Sequence, residues 1–70
     1  MIEYKGYIGH YLFDEKTNIF QGNVVNTHDL ITFQGKSIFA TRQAFQNAVD
    51  EYIEWHQKYS KKPDHILLQS

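Results

Sequence analysis

Four histidines and eight acidic residues are the groups in this chain that could bind a metal ion or move a proton. His10, His28, His56 and His65 share no i,i+4 spacing, the arrangement that would bring two imidazoles of one helix to the same ion. The chain has no cysteine, so disulfides are excluded and a structural zinc site is not expected. Each histidine therefore reads as an ordinary surface or boundary residue. Among the carboxylates, Asp14 and Glu15 are neighbours in the first turn, Asp29 lies in the second, and Asp50 and Glu51 are neighbours on the helix. Adjacent acids can hold Mg²⁺ or share acid–base work. Turn acids, however, are chosen for turn geometry, and acids on a helix are normally solvated. Ser37 follows Lys36 but has no histidine near it in sequence to act as a base, and an N-cap role accounts for it. Gly6, Gly9, Gly22 and Gly35 lie too far apart to cradle a phosphate. Hence no catalytic residue, metal ligand or cofactor is expected.

The elements that would position these groups divide the chain in two. Residues 1–14 are rich in aromatic and β-branched side chains and read as one long strand, with Gly6 and Gly9 as points for a bulge or a close backbone approach. The polar cluster at 14–18 is a turn, 19–26 a second strand, 27–29 another turn and 30–35 a third strand. Short turns between successive strands imply antiparallel pairing. After Gly35 the period changes. Apolar positions at 38, 41, 45, 48, 49, 52, 55, 56 and 59 recur in steps of three and four, counting Thr41 and His56 generously. They predict a helix from Ile38 to about Tyr59, capped by Ser37, with Arg42, Gln46, Asp50, Glu54 and Lys58 on its polar side. Lys58, Lys61 and Lys62 suit the negative end of the helix dipole, and Pro63 stops the helix. The run Ile66, Leu67 and Leu68 is a candidate fourth strand. The expected fold class is α+β: a three-stranded antiparallel meander with one long helix on one face and a possible short fourth strand.

Seventy residues make one domain, and a core of this size rarely supplies more than about 3–5 kcal/mol. Small domains without disulfides or metal often gain stability by association, so a homodimer is expected. A net charge of −1 gives no drive toward phosphate backbones, so direct nucleic-acid binding is not expected. No apolar run approaches the ~20 residues of a membrane span, and the first residues lack the pattern of a signal peptide. No membrane association and a cytoplasmic location follow as expectations.

The segments YKGYIG (4–9), FDEKTNIFQGNV (13–24), DLITFQGKS (29–37) and AFQNAVDEYIEW (44–55) resemble, in order and spacing, the HicB antitoxin family. The likeness runs from about Tyr4 to Pro63. It implies a degenerate, partial RNase H-like fold of order βββαβ without the nuclease's metal-binding carboxylates. It further implies a non-enzymatic role: binding and occluding a small basic HicA-type toxin that cleaves mRNA with a catalytic histidine. An acidic rim would assist encounter with such a toxin, and Asp14, Glu15 and Asp29 are the turn acids available for it. HicB proteins commonly continue into a DNA-binding segment, and none can be assigned in residues 1–70. Ala40 stands where the family often has an acid after the capping serine, and Leu12 is apolar where the family is generally polar. Two other readings stay open: an orphan HicB-like binding module with no toxin, and a small RNase H-related hydrolase.

The first strand poses a question of faces. Its odd-numbered residues Tyr7, Tyr11 and Phe13 should meet the helix at Phe45, Val49 and Tyr52. Its even-numbered residues Tyr4, Ile8 and Leu12 should lie on the open face, available to a partner or a second copy.

Overall fold

The computed structural model describes residues 1–58. Four strands, β1 (Ile2–Tyr4), β2 (Tyr7–Asp14), β3 (Ile19–Val24) and β4 (Thr32–Gly35), precede one helix, α1 (Ile38–Lys58). The strands form a single sheet in the order β1-β2-β3-β4, each antiparallel to its neighbours, and α1 packs across one face. The fold is therefore α+β, with the meander and helix that the two periods predict. Pro63, His65 and the candidate strand at Ile66, Leu67 and Leu68 lie outside the described residues.

Among the described residues the strand beyond the expected three is β1, from the N-terminal segment. Residues 1–14 are a hairpin, not one long strand, because Lys5 and Gly6 both take positive φ (51° and 84°) and reverse the chain in two residues. Positive φ at both central positions is the turn that matches the twist of paired strands. Glycine adopts it freely, whereas lysine does so at a cost of roughly 1–2 kcal/mol. Gly6 thus makes a turn where a bulge was expected. At the next turn, Asn18 takes the left-handed conformation (φ 58°), and its N–H donates to the Asp14 carbonyl at 2.8 Å. Asparagine is among the residues that tolerate this region best.

The helix starts as its cap dictates. The Ala40 N–H donates to Ser37 Oγ at 3.0 Å, satisfying one of the free amides of the first turn. Thr41 is buried and donates its hydroxyl to the Ser37 carbonyl at 2.7 Å. Beneath it Gly35 has no room for a side chain, since a Cβ there would stand 2.5 Å from the Thr41 nitrogen. Phe45 and Val49 are fully buried and join Tyr7, Val24 and Phe33 in the core. Phe45 lies over Gly9, where a Cβ would come within 2.8 Å of its ring, and tilts against Phe33 with centroids 5.1 Å apart. Tyr7 meets Tyr52 edge-on at 5.7 Å and Tyr11 packs against the core, so these two of the odd register face the helix side as expected, whereas Phe13 is 47% exposed and rests on Phe20.

Candidate functional site

Antiparallel connection sends the turns to alternate ends of the sheet. One end holds the β1–β2 turn, the segment between β3 and β4, and the C-terminal half of α1. The other holds the β2–β3 hairpin tip and the start of α1.

At the first end, polar groups are consumed within the chain. Asn26 is buried (2% exposed); its Oδ1 accepts from the Ile8 N–H and its Nδ2 donates to the Gly6 carbonyl, both at 2.9 Å. One side chain thus takes the place of a backbone unit in the ladder beside β2. Tyr4 donates its hydroxyl to Asp50 Oδ2 at 3.1 Å, and Lys5 Nζ lies 2.8 Å from Asp50 Oδ1. The Lys5 ammonium holds the Asp50 carboxyl below its ordinary value, with Tyr4 assisting, and Asp50 in turn raises Lys5. Tyr52 donates to Asp29 Oδ2 at 2.5 Å, and the Asp29 N–H donates to Thr27 Oγ1 at 3.3 Å.

His56 completes this cluster, and its burial (4% exposed) corrects the expectation of a surface or boundary histidine. Its Nε2 stands 3.7 Å from Asp29 Oδ2, while Nδ1 has no hydrogen-bond partner among the described residues. The rings of Tyr52 and Trp55 close on it edge-on, at 4.4 and 5.0 Å. A histidine, an aspartate and a tyrosine are the ingredients of acid–base chemistry. Here, however, aromatic rings wall in the imidazole, and the nearby depression bordered by Glu51, Glu54, Trp55 and Lys58 does not reach it. What the arrangement does is pin the segment between β3 and β4 to the helix. Among the described residues no three His, Asp or Glu side chains are placed to hold one metal ion.

The second end is built differently. Asp14 Oδ1 accepts from the Lys16 N–H at 3.0 Å, which shapes the turn. Leu12 is 68% exposed on the face without the helix, and Phe13 is 47% exposed on the opposite face. Phe13 tilts against its cross-strand partner Phe20 at 5.0 Å, and Tyr11 meets the same ring edge-on at 5.8 Å. An open depression of about 540 Å³ follows this tip, lined by Leu12, Phe13, Asp14, Glu15, Lys16 and Gln21. The charge pattern of the sheet favours one sign. No strand residue is lysine or arginine, and the strand carboxylates, Glu3 and Asp14, both fall on the open face by alternation from Ile8 and Leu12.

The expected surface is therefore partly assembled. Leu12, Asp14 and Glu15 come together at the tip, and Ile8 shares the open face farther along β2, half-buried. Tyr4 does not join them. The turn at Lys5 and Gly6 makes it the cross-strand partner of Tyr7, and paired residues share a face, so Tyr4 lies on the helix side against the core. Asp29 sits at the far end, held by Tyr52, and cannot form one rim with Asp14 and Glu15. Asn26 and Lys5 escaped the sequence reading, and Asp50 was read only as a solvated acid on the polar side of the helix. Only the Lys-Gly step, a two-residue turn between apolar runs, signalled that part of the fold. No family model matches the chain, and no curated protein or solved structure matches it either.

Proposed function

We propose that this chain is a non-catalytic binding module whose open sheet face, at the β2–β3 tip, receives a small basic protein. The observation that carries the reading is Leu12: a large apolar side chain, 68% exposed, on the face the helix leaves bare. A single exposed leucine is unremarkable. This one lines a depression together with Asp14, Glu15 and Lys16, a net negative border, on a sheet whose strands β1–β4 carry only the acids Glu3 and Asp14. An apolar centre with an acidic border suits a basic partner, the charges steering encounter and the leucine resisting dissociation. The resemblance to HicB antitoxins supplies the partner class, a small HicA-type mRNA interferase whose active site is occluded by contact. The absence of a convergent metal-ligand cluster among the described residues fits a binding role better than an RNase H-related hydrolase.

The test is calorimetric titration of this protein with a HicA-type interferase, alongside an RNA-cleavage assay. The expected result is a complex that suppresses cleavage, with Leu12→Lys weakening binding at least tenfold while leaving the fold intact. A folded wild type that neither binds nor suppresses cleavage, or binding indifferent to Leu12→Lys, would overturn the reading.

A further inference from the structure

β2 is longer than the strand beside it. β1 pairs with residues 7–9 only, whereas β2 runs on to Asp14. From His10 onward the outer side of β2 has no neighbouring strand among the described residues. One hydrogen bond shows which backbone groups face that vacancy. The Val25 N–H donates to the Ile8 carbonyl at 2.8 Å, so Ile8 turns its polar groups toward β3. Direction alternates along an antiparallel strand, so His10, Leu12 and Asp14 also address β3, while Tyr11 and Phe13 point their N–H and C=O groups outward.

Sheet edges are normally protected by lysine, proline, bulges or brevity. β1 is three residues long with Glu3 at its centre, and β4 is four residues long and ends in glycine. Residues 10–14 read His-Tyr-Leu-Phe-Asp, with no lysine, proline or bulge and a single acid, Asp14, at the end of the run.

We infer that this edge pairs with the same edge of a second copy of the chain, antiparallel, with Leu12 at the two-fold axis. The register follows from the backbone, because only residues with outward-facing groups can exchange hydrogen bonds. Tyr11 opposite Phe13 of the second copy meets that requirement, and symmetry repeats the pair. The side chains agree with it. On the open face His10 falls opposite Asp14 of the second copy and Leu12 opposite Leu12; on the helix face an aromatic ring meets an aromatic ring. A register displaced toward Gly9 collides with β1, and one displaced toward Glu15 brings the turn into the ladder. Met1, outside β1 and 82% exposed, is the residue that must turn aside. This relocates the expected dimer contact from a sheet face to a sheet edge. Edge pairing leaves both open faces uncovered but engages Leu12, Phe13 and Asp14, which also line the depression assigned to the partner above, so the variants below are read by association of the chain with itself and not by partner binding.

The test is light scattering of the wild type and three variants across the micromolar range, combined with amide hydrogen exchange. The wild type is expected to dimerise, with the Tyr11 and Phe13 amides gaining protection as concentration rises. His10→Asp, which sets like charges opposite each other at two symmetric positions, is expected to weaken association about tenfold. His10→Lys is expected to preserve or strengthen it. Phe13→Pro removes an amide with no partner inside the chain, and should abolish the dimer while leaving the far-ultraviolet circular dichroism intact. If that variant misfolds, the opposite signs at His10 decide. A wild type that stays monomeric, a dimer that survives Phe13→Pro, or equal effects of the two His10 variants would overturn the inference.

Discussion

The two ends of the sheet use similar residues to opposite purpose. Where the β1–β2 turn meets the last turns of α1, Asn26, Asp50, Asp29, Tyr52 and His56 direct their polar atoms at one another and at backbone groups. At the β2–β3 tip Leu12 and Phe13 are exposed and Glu15 lies in solvent. A domain of this size has little stability to spare. Concentrating internal hydrogen bonds at one end lets the other present groups that do nothing for folding. The proposed partner contact therefore falls at the tip and not at the richer polar cluster.

The most severe way to break this comparison is to remove the element both ends share. Phe45 is fully buried between Gly9 and Phe33. Phe45→Ala is expected to cost about 3–5 kcal/mol, comparable with the entire stability of the domain. Urea titration should then show no cooperative transition, whichever end is probed. At the closed end, Asn26→Ala leaves the Ile8 N–H and the Gly6 carbonyl without their partner, a loss of about 2–3 kcal/mol. Thermal unfolding should register it as a clear fall in Tm. The corresponding change at the open end, Leu12→Lys, is expected to shift stability by no more than about 0.5 kcal/mol, because the side chain already faces water. Equal destabilisation by these two variants would remove the distinction between the ends.

The smallest effect is electrostatic. Asp50 is held below its ordinary value by Lys5 and Tyr4, so its contribution is present above the unfolded carboxylate range, near pH 4, and is lost as pH falls through the lower folded value. Lys5 is raised, so its share is intact at neutral pH and is lost only as pH rises through the folded value above 10.5. The pair is solvent-exposed and screened by salt. Asp50→Asn should therefore flatten the acid limb of a stability-against-pH curve slightly, and added salt should shrink the difference.

Much of the architecture was legible in the sequence because it depends on periodicity. The change from alternation to steps of three and four located α1 at Ile38, and Ser37 announced its cap. The cluster 14–18 marked the β2–β3 turn for similar reasons. What escaped depended on single residues acting against type. Lysine is an uncommon choice for a left-handed turn, so residues 1–14 read as one strand and Tyr4 was assigned to the wrong face. Asn26 read as the last residue of the second strand, since nothing local reveals that its amide substitutes for backbone eighteen to twenty positions earlier. Leu12, Asp14 and Glu15 were found together because they are neighbours along one hairpin. Asp29 was grouped with them by charge alone, and topology carried it to the opposite end.

Trp55 is the only tryptophan in the chain, and its ring lies edge-on to His56 at the closed end. An indole so placed is an optical gauge of that corner of the molecule. Its emission should respond when α1 loosens from the segment carrying Asp29, since the imidazole beside it is a natural quencher. The hairpin tip, across the sheet, has no such reporter. A ligand docking there is expected to be dark in tryptophan fluorescence while remaining visible to a tyrosine signal from Tyr11.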